Sequence, residues 1–181
     1  MIEEKIGKKY QYHVSLRIMH WLTGIPIILM LIMGFCLKME IFPSHYPIGQ
    51  LYTIHKAIGM VLLFFLTLRI ICRFNSITPS YPKSFSYFLT VVSKITHTSL
   101  YITAIGMATS GYVMSSASGR AIKIFSCNIP LLIDTNKHIA NVAQQCHNIC
   151  AYILSALIIV HILAALKHKF IDKDNVFNRI I

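Results

Sequence analysis

The sequence predicts an all-α integral membrane protein, a four-helix bundle running up, down, up and down with both termini cytoplasmic. Three observations lead there. The 181 residues are 55% hydrophobic and 13% charged, whereas soluble domains carry about 25% charged residues. Four apolar stretches are each long enough to cross about 30 Å of hydrocarbon, which takes roughly 20 helical residues. The seventeen Lys and Arg residues gather at the ends of those stretches, where topology signals and snorkelling side chains belong.

The spans fall at about residues 16–37, 51–72, 89–114 and 143–166 of a single domain, 1–181. Each is continuously apolar, without the alternation of barrel strands, so helices are the structures that satisfy their backbone in lipid. Pro26 lies inside the first and is expected to kink it. The first connection, 38–50, holds Pro43 and Pro47; the second, 73–88, is polar with Pro79 and Pro82. The third, 115–141, is the longest, and its apolar patch 129–133 is suited to lie along the membrane surface. The polar opening "MIEEKIGKKYQYHVSLR" shows no apolar core with a small-residue cleavage site, so no removable signal peptide is expected.

Charge sets the direction. Twelve cations (5, 8, 9, 17, 69, 73, 83, 94, 167, 169, 173 and 179) fall on the side of the two tails and the second connection. Five (38, 56, 120, 123 and 137) fall on the other side. The positive-inside rule then puts both termini in the cytoplasm. The net charge of +11 does not signal nucleic acid, because no stretch interleaves the cations with stacking aromatics. Membrane lipid is the expected surrounding, and a homodimer is one candidate assembly. Five cysteines form neither Cys-x-x-Cys nor Cys-x-x-Cys-His. Cys36, Cys72 and Cys150 read as apolar filler, and Cys127 with Cys146 is a candidate disulfide on an oxidising side.

Of nine histidines, His13, His45, His138 and His168 fall in tails or loops. His20, His55, His97, His147 and His161 fall in spans, where an ionisable side chain is a functional hypothesis by default. His147 and His161 are fourteen residues apart, about 21 Å along a helix and on one face within about 40°. That separation cannot build one mononuclear site but can hold two cofactors stacked across the membrane. Matching depths pairs His20 with His161 at the inner level and His55 with His147 at the outer level, with His97 competing as the inner ligand. The residue four positions after each favoured histidine is small: Gly24, Gly59, Ala151 and Ala165. After His97 it is Tyr101. Zn, Cu or Ni would want three or four close ligands, and no carboxylate accompanies the pairs. Two trans imidazoles complete a haem iron. The alternative is a set of core histidines hydrogen-bonded between helices.

These residues resemble the bacterial di-haem cytochrome b561 family. The matching stretches are "SLRIMHWL", "IHKAIG", "HTSLYI", "CHNICAYILSALIIVHILAALKHKF" and the tail "DKDNVFNRI". The resemblance implies two b haems with axial ligands at His20, His55, His147 and His161. It also implies ubiquinone as substrate and an external electron donor, superoxide in some members. Lys167–His168 stands where members often show paired histidines. The first and third connections show little match, which leaves any donor site there undefined.

Bis-histidine iron has no open position, which favours outer-sphere electron transfer. Haem propionates would draw on Arg17, Arg69 and Arg73 at the inner level and Lys56, Arg120 and Lys137 at the outer, with snorkelling as the alternative. An anionic donor would be steered by the five outer cations, against Glu40 and Asp134. Ser93, His97 and Tyr101 are the candidate quinone residues, with helix packing as the alternative. The competing functions are a membrane anchor of a hydrogenase or dehydrogenase complex, and a non-redox carrier using histidine relays.

Overall fold

The computed structural model describes residues 11–43, 45–77, 79–81, 85–174 and 176–181. Four of the expected inner cations, at positions 5, 8, 9 and 83, lie outside the described residues. So do most of the polar N-terminal opening and Pro82.

Four long helices follow in order: α1 Val14–Lys38, α2 Ile48–Asn75, α3 Tyr87–Ala117 and α4 Lys137–Lys167. All are longer than the apolar cores that announce them, because polar caps extend the ends. Ser86 accepts from the Leu89 amide at 3.2 Å and starts α3. Asn136 accepts from the Ile139 amide at 3.1 Å and starts α4 about two turns ahead of its apolar run. Just past the cap residue Ser118 of helix α3, Gly119 has a φ of +66°, which suits the left-handed position that follows a helix. Pro26 lies within α1, which continues through it to Lys38.

Side-chain pairs fix the up-down-up-down order. His20 near the start of α1 meets Arg69 near the end of α2, and Gly34 near the end of α1 lies against His55 near the start of α2. Gly111 late in α3 lies against His147 early in α4. Each helix gives one residue to a central layer of Leu31, Leu66, Ala104 and Leu154. Each also turns large apolar side chains outward: Leu29 and Phe64 are 60% exposed, Ile102 67% and Leu163 60%. An apolar surface around an apolar centre is what a bundle in lipid requires.

Among the described residues, three helices are long and apolar enough to cross a membrane: α1, α2 and α4 with its continuation to Asp172. The third expected span is less apolar than the others. Helix α3 carries Ser93, Lys94, Thr96, His97, Thr98, Ser99 and Thr103. Hydroxyls along it turn back on its own carbonyls, Thr96 to Val92 at 2.9 Å and Thr109 to Ile105 at 2.8 Å, so they need no water.

The third connection holds a two-stranded antiparallel hairpin, β1 Ile122–Ile124 and β2 Cys127–Ile129, that the sequence did not announce. The patch 129–133 is tied to the end of α3. Tyr112 donates to the Pro130 carbonyl at 2.8 Å, and the Ile133 amide donates to Ser116 at 3.1 Å. The candidate disulfide is corrected: Cys127 and Cys146 are both free and exposed.

After α4 the chain passes through a π-helical turn, His168–Asp172, and folds back toward the start of α1. His168 is buried, stacked on Phe85 with ring centres 5.1 Å apart, and bonded to Asp174 at 2.7 Å. Trp21 donates to the Ile180 carbonyl at 3.0 Å, and Arg179 donates to the Ser80 carbonyl at 2.6 Å.

Candidate functional site

The histidines meet at two levels. At the inner level the ring centres of His20 and His161 are 6.2 Å apart, with planes at 54°. At the outer level His55 and His147 are 6.4 Å apart, with planes at 75°. Two metal–nitrogen bonds of about 2 Å, with the ring radii on either side, span roughly 6.3 Å. Both pairs have that spacing. The plane angles are no obstacle, because each ring can turn about the axis through the metal. The His97 ring is closer to His161, at 5.4 Å and 79°, short of the span a bridging metal needs.

Along α4 the levels lie seven residues on either side of Leu154, about 10 Å each way. The central layer therefore separates them with hydrocarbon.

Three of the five rings have a partner at Nδ1, the second nitrogen that metal-binding histidines usually anchor. His147 Nδ1 donates to the Met107 carbonyl at 2.8 Å, leaving the Nε2 lone pair free. His97 is held in the same way by the Ser93 carbonyl at 2.7 Å. His20 differs. Arg69 donates to its Nδ1 at 2.8 Å and to Thr23 Oγ1 at 2.8 Å, and the guanidinium lies 5.1 Å from the centre of the Tyr101 ring. A neutral His20 with Nδ1 accepting carries its proton on Nε2, so a metal at Nε2 displaces that proton or the guanidinium. The His55 Nδ1 is buried and has no partner among the described residues.

The small residues four positions after the histidines line open or loosely filled space: Gly24 and Gly59 have nothing within 4 Å of an added Cβ, and Ala151 and Ala165 are half-buried. The tight glycines are on the facing helices and were missed from sequence. A Cβ at Gly34 would sit 3.3 Å from His55 Cε1. One at Gly111 would sit 3.1 Å from His147 Cε1 and 3.2 Å from its Nδ1. Depth matching across antiparallel neighbours could have found both.

The expected propionate partners divide. Arg17 has a buried Nε without an acceptor among the described residues, one turn before His20, and suits an inner carboxylate. Arg69 is engaged with His20 and Thr23. Lys56 donates to the Ala121 carbonyl at 3.4 Å. No hydrogen bond ties the side chains of Arg73, Arg120 or Lys137 to a described residue.

By donor set and spacing these residues fit two six-coordinate irons. The space between His55 and His147 is about 50 Å³, bounded by Met30, Leu62, Leu66, Met107 and Leu154. A porphyrin needs several hundred Å³, so holding one requires those side chains to draw back toward the lipid face.

Paired imidazoles at two depths of an apolar four-helix bundle are the decisive observation, and the comparisons agree with it. A family model described as Prokaryotic cytochrome b561 matches residues 11–181. The chain belongs to the prokaryotic cytochrome b561 family. It is 28% identical over 173 residues to cytochrome b561 homolog 2 of Escherichia coli K12, covering 94% of this chain and 91% of that protein. Cytochrome b561 homolog 1 of the same organism is 29% identical over 49% of this chain and 51% of its own length. The probable superoxide oxidase CybB of Yersinia pestis is 23% identical over 90% of each chain. As a cytochrome b561 family member the protein is a b-type cytochrome of a membrane electron-transfer system, with haem as its cofactor.

Proposed function

We propose that the protein carries two b haems, one held by His20 and His161 and one by His55 and His147, and passes electrons between an external donor and ubiquinone. The observation that carries this reading is the repeated spacing of 6.2 and 6.4 Å between paired rings at two levels. Both termini face the cytoplasm, supported by the excess of Lys and Arg on their side.

A haem held by His20 and His161, or by His55 and His147, would supply reversible one-electron exchange. The chain's own residues do the rest. Met107 and Arg69 orient His147 and His20. The layer of Leu31, Leu66, Ala104 and Leu154 keeps water from the path between levels. Arg17 offers its guanidinium to an inner carboxylate. Lys38, Lys56, Arg120, Lys123 and Lys137 attract an anion to the outer end.

Superoxide is the donor we favour, supported by the name of the Yersinia pestis relative and by that outer charge. Each superoxide gives up one electron and leaves as dioxygen; two electrons and two protons convert one quinone to quinol. Ser93, His97 and Tyr101 flank the inner level and could relay the protons. The test is proteoliposomes supplied with superoxide outside and ubiquinone in the bilayer. The expected result is superoxide-dependent quinol formation, lost in His55→Ala and His161→Ala. Reduced haems that ubiquinone never reoxidises would overturn the assignment of quinone as acceptor.

A further inference from the structure

A second cluster of ligating side chains lies outside the histidine pairs, where the chain leaves α4. His168, Asp172 and Asp174 each offer one donor atom, and the three atoms lie within 4.8 Å of one another. His168 Nδ1 is 2.7 Å from Asp174 Oδ2 and 3.2 Å from Asp172 Oδ2. The side chains of His168 and Asp174 are 11% and 12% exposed, and that of Asp172 29%. His168 follows Leu154 of the central layer by fourteen residues, about 21 Å of helix. That exceeds a hydrocarbon half-thickness of about 15 Å, so ions reach the cluster from water.

The local fold presents these atoms. The π-helical turn His168–Asp172 brings its last residue back beside its first. Lys173, at φ +51°, reverses the chain, and the Asp174 amide returns to the His168 carbonyl at 3.4 Å. Asp174 Oδ1 accepts from the Val176 amide at 3.2 Å, which leaves Oδ2 for the ring. The ring is stacked on Phe85 with planes at 18°, so its direction is set by packing.

Two features go beyond an ordinary ion pair. An imidazole Nδ1 has one proton or one lone pair to offer, yet two carboxylate oxygens converge on it. A proton serves one of them; a cation serves all three atoms. The spacing also fits. Ligands about 2.1 Å from a metal are about 3.0–3.4 Å apart when they meet it between a right angle and the tetrahedral angle. The two nitrogen–oxygen distances need change by only a few tenths of an ångström.

The donors also have a charge and a class. Two carboxylates with a neutral imidazole match a dication. Calcium and magnesium favour oxygen ligands alone, whereas one imidazole with two carboxylates suits zinc, with water completing the tetrahedron. The competitor is Lys167, whose ammonium donates to both oxygens of Asp172, at 2.8 and 2.6 Å.

We propose that His168, Asp172 and Asp174 form a divalent-cation site of the zinc class that fastens the C-terminal tail. Beyond the site the tail reaches α1, where Trp21 donates to the Ile180 carbonyl at 3.0 Å and meets the His20 ring edge-on at 5.2 Å. The cation thereby ties the end of α4 to the helix that carries an inner histidine. The site stands independently of the haem assignment.

The test uses the haem-loaded protein in detergent, stripped of free metal on a chelating resin. Zinc chloride is titrated against a chromophoric chelator into wild type, Asp172→Asn, Asp174→Asn and Lys167→Met. Wild type is expected to take up one zinc per chain that each Asn variant binds at least about tenfold more weakly, since even an outer-shell partner is worth about 10–100-fold. Lys167→Met removes the competing ammonium and is expected to bind more tightly. Saturating zinc should slow protease cleavage beyond Lys167 in wild type and leave the rate unchanged in Asp172→Asn; magnesium chloride should not protect. Should Asp174→Asn loosen the tail by itself, Asp172→Asn, the most exposed of the three, carries the comparison. Zinc bound equally well by both Asn variants would put the ion on other histidines and overturn the site. No saturable binding by wild type or Lys167→Met would reduce the cluster to an ion pair, and equal protection by magnesium would overturn the zinc class.

Discussion

Gly111 offers a sharp perturbation, because two effects of the same substitution oppose each other. Gly111→Ala puts a methyl group 3.1 Å from His147 Cε1 and 3.2 Å from Nδ1, inside the 3.5–4.0 Å optimum for such contacts, roughly. The ring must retreat by several tenths of an ångström. It cannot do so freely, since Nδ1 is tied to the Met107 carbonyl at 2.8 Å. Overpacking of this kind costs about 1–3 kcal/mol, while Ala in place of Gly within a helix returns about 1 kcal/mol. The net effect on overall stability is then about 0–2 kcal/mol, too small to diagnose. The effect on the outer pair is not offset, because helix propensity does nothing for the ring's position. An outer-level affinity reduced by about tenfold or more is expected, the equivalent of at least ~1.4 kcal/mol, with the inner level unchanged. The assay is haem titration of the protein made under haem limitation, beside Gly49→Ala, where an added Cβ meets nothing within 4 Å. The expected outcome is one tight and one weakened site in Gly111→Ala and two tight sites in Gly49→Ala. Two unchanged sites in Gly111→Ala would refute the placement of His147 as an outer ligand against α3.

Three further outcomes follow from other contacts. Arg69→Leu removes donors from His20 and from Thr23, which is 0% exposed, and should cost about 2 kcal/mol; thermal unfolding should show the loss, and Arg69→Lys should not restore it because one ammonium cannot match the two-pronged geometry. His168→Ala breaks the bond to Asp174 and the stack on Phe85, so protease should cut the chain beyond Lys167 faster while cleavage of the third connection stays unchanged. Cys127 is exposed in the hairpin; with both termini inside, a membrane-impermeant maleimide should label it in intact spheroplasts, and labelling only after lysis would reverse the topology.

The sequence exposed those features whose signal repeats along one chain segment. The fourteen-residue interval of His147 and His161 on one face and the apolar runs were enough for helix number, order and the pairing of histidine levels. Features that depend on two facing surfaces were not legible. Gly34 and Gly111 matter through rings on other helices, so a search four residues along the same helix found Gly24 and Gly59 instead. Arg69 read as a cation for a propionate; its reach to His20 and Thr23 depends on how α1 lies against α2. The hairpin at Ile122–Ile129 has strands of three residues each, too short to show alternation. The hydroxyls of α3 lowered its hydropathy, and only their bonds back to helix carbonyls explain why they sit there.

The central claim is that four histidines hold two haems, and counting them tests it most directly. The protein is purified in detergent from cells that make haem, and haem per chain is measured with a dithionite-reduced minus oxidised spectrum. Two low-spin b haems per chain are expected, falling to one in His55→Ala and one in His161→Ala, and remaining two in His97→Ala. A chain without haem, or one whose second haem disappears with His97 and survives without His20, would contradict the account.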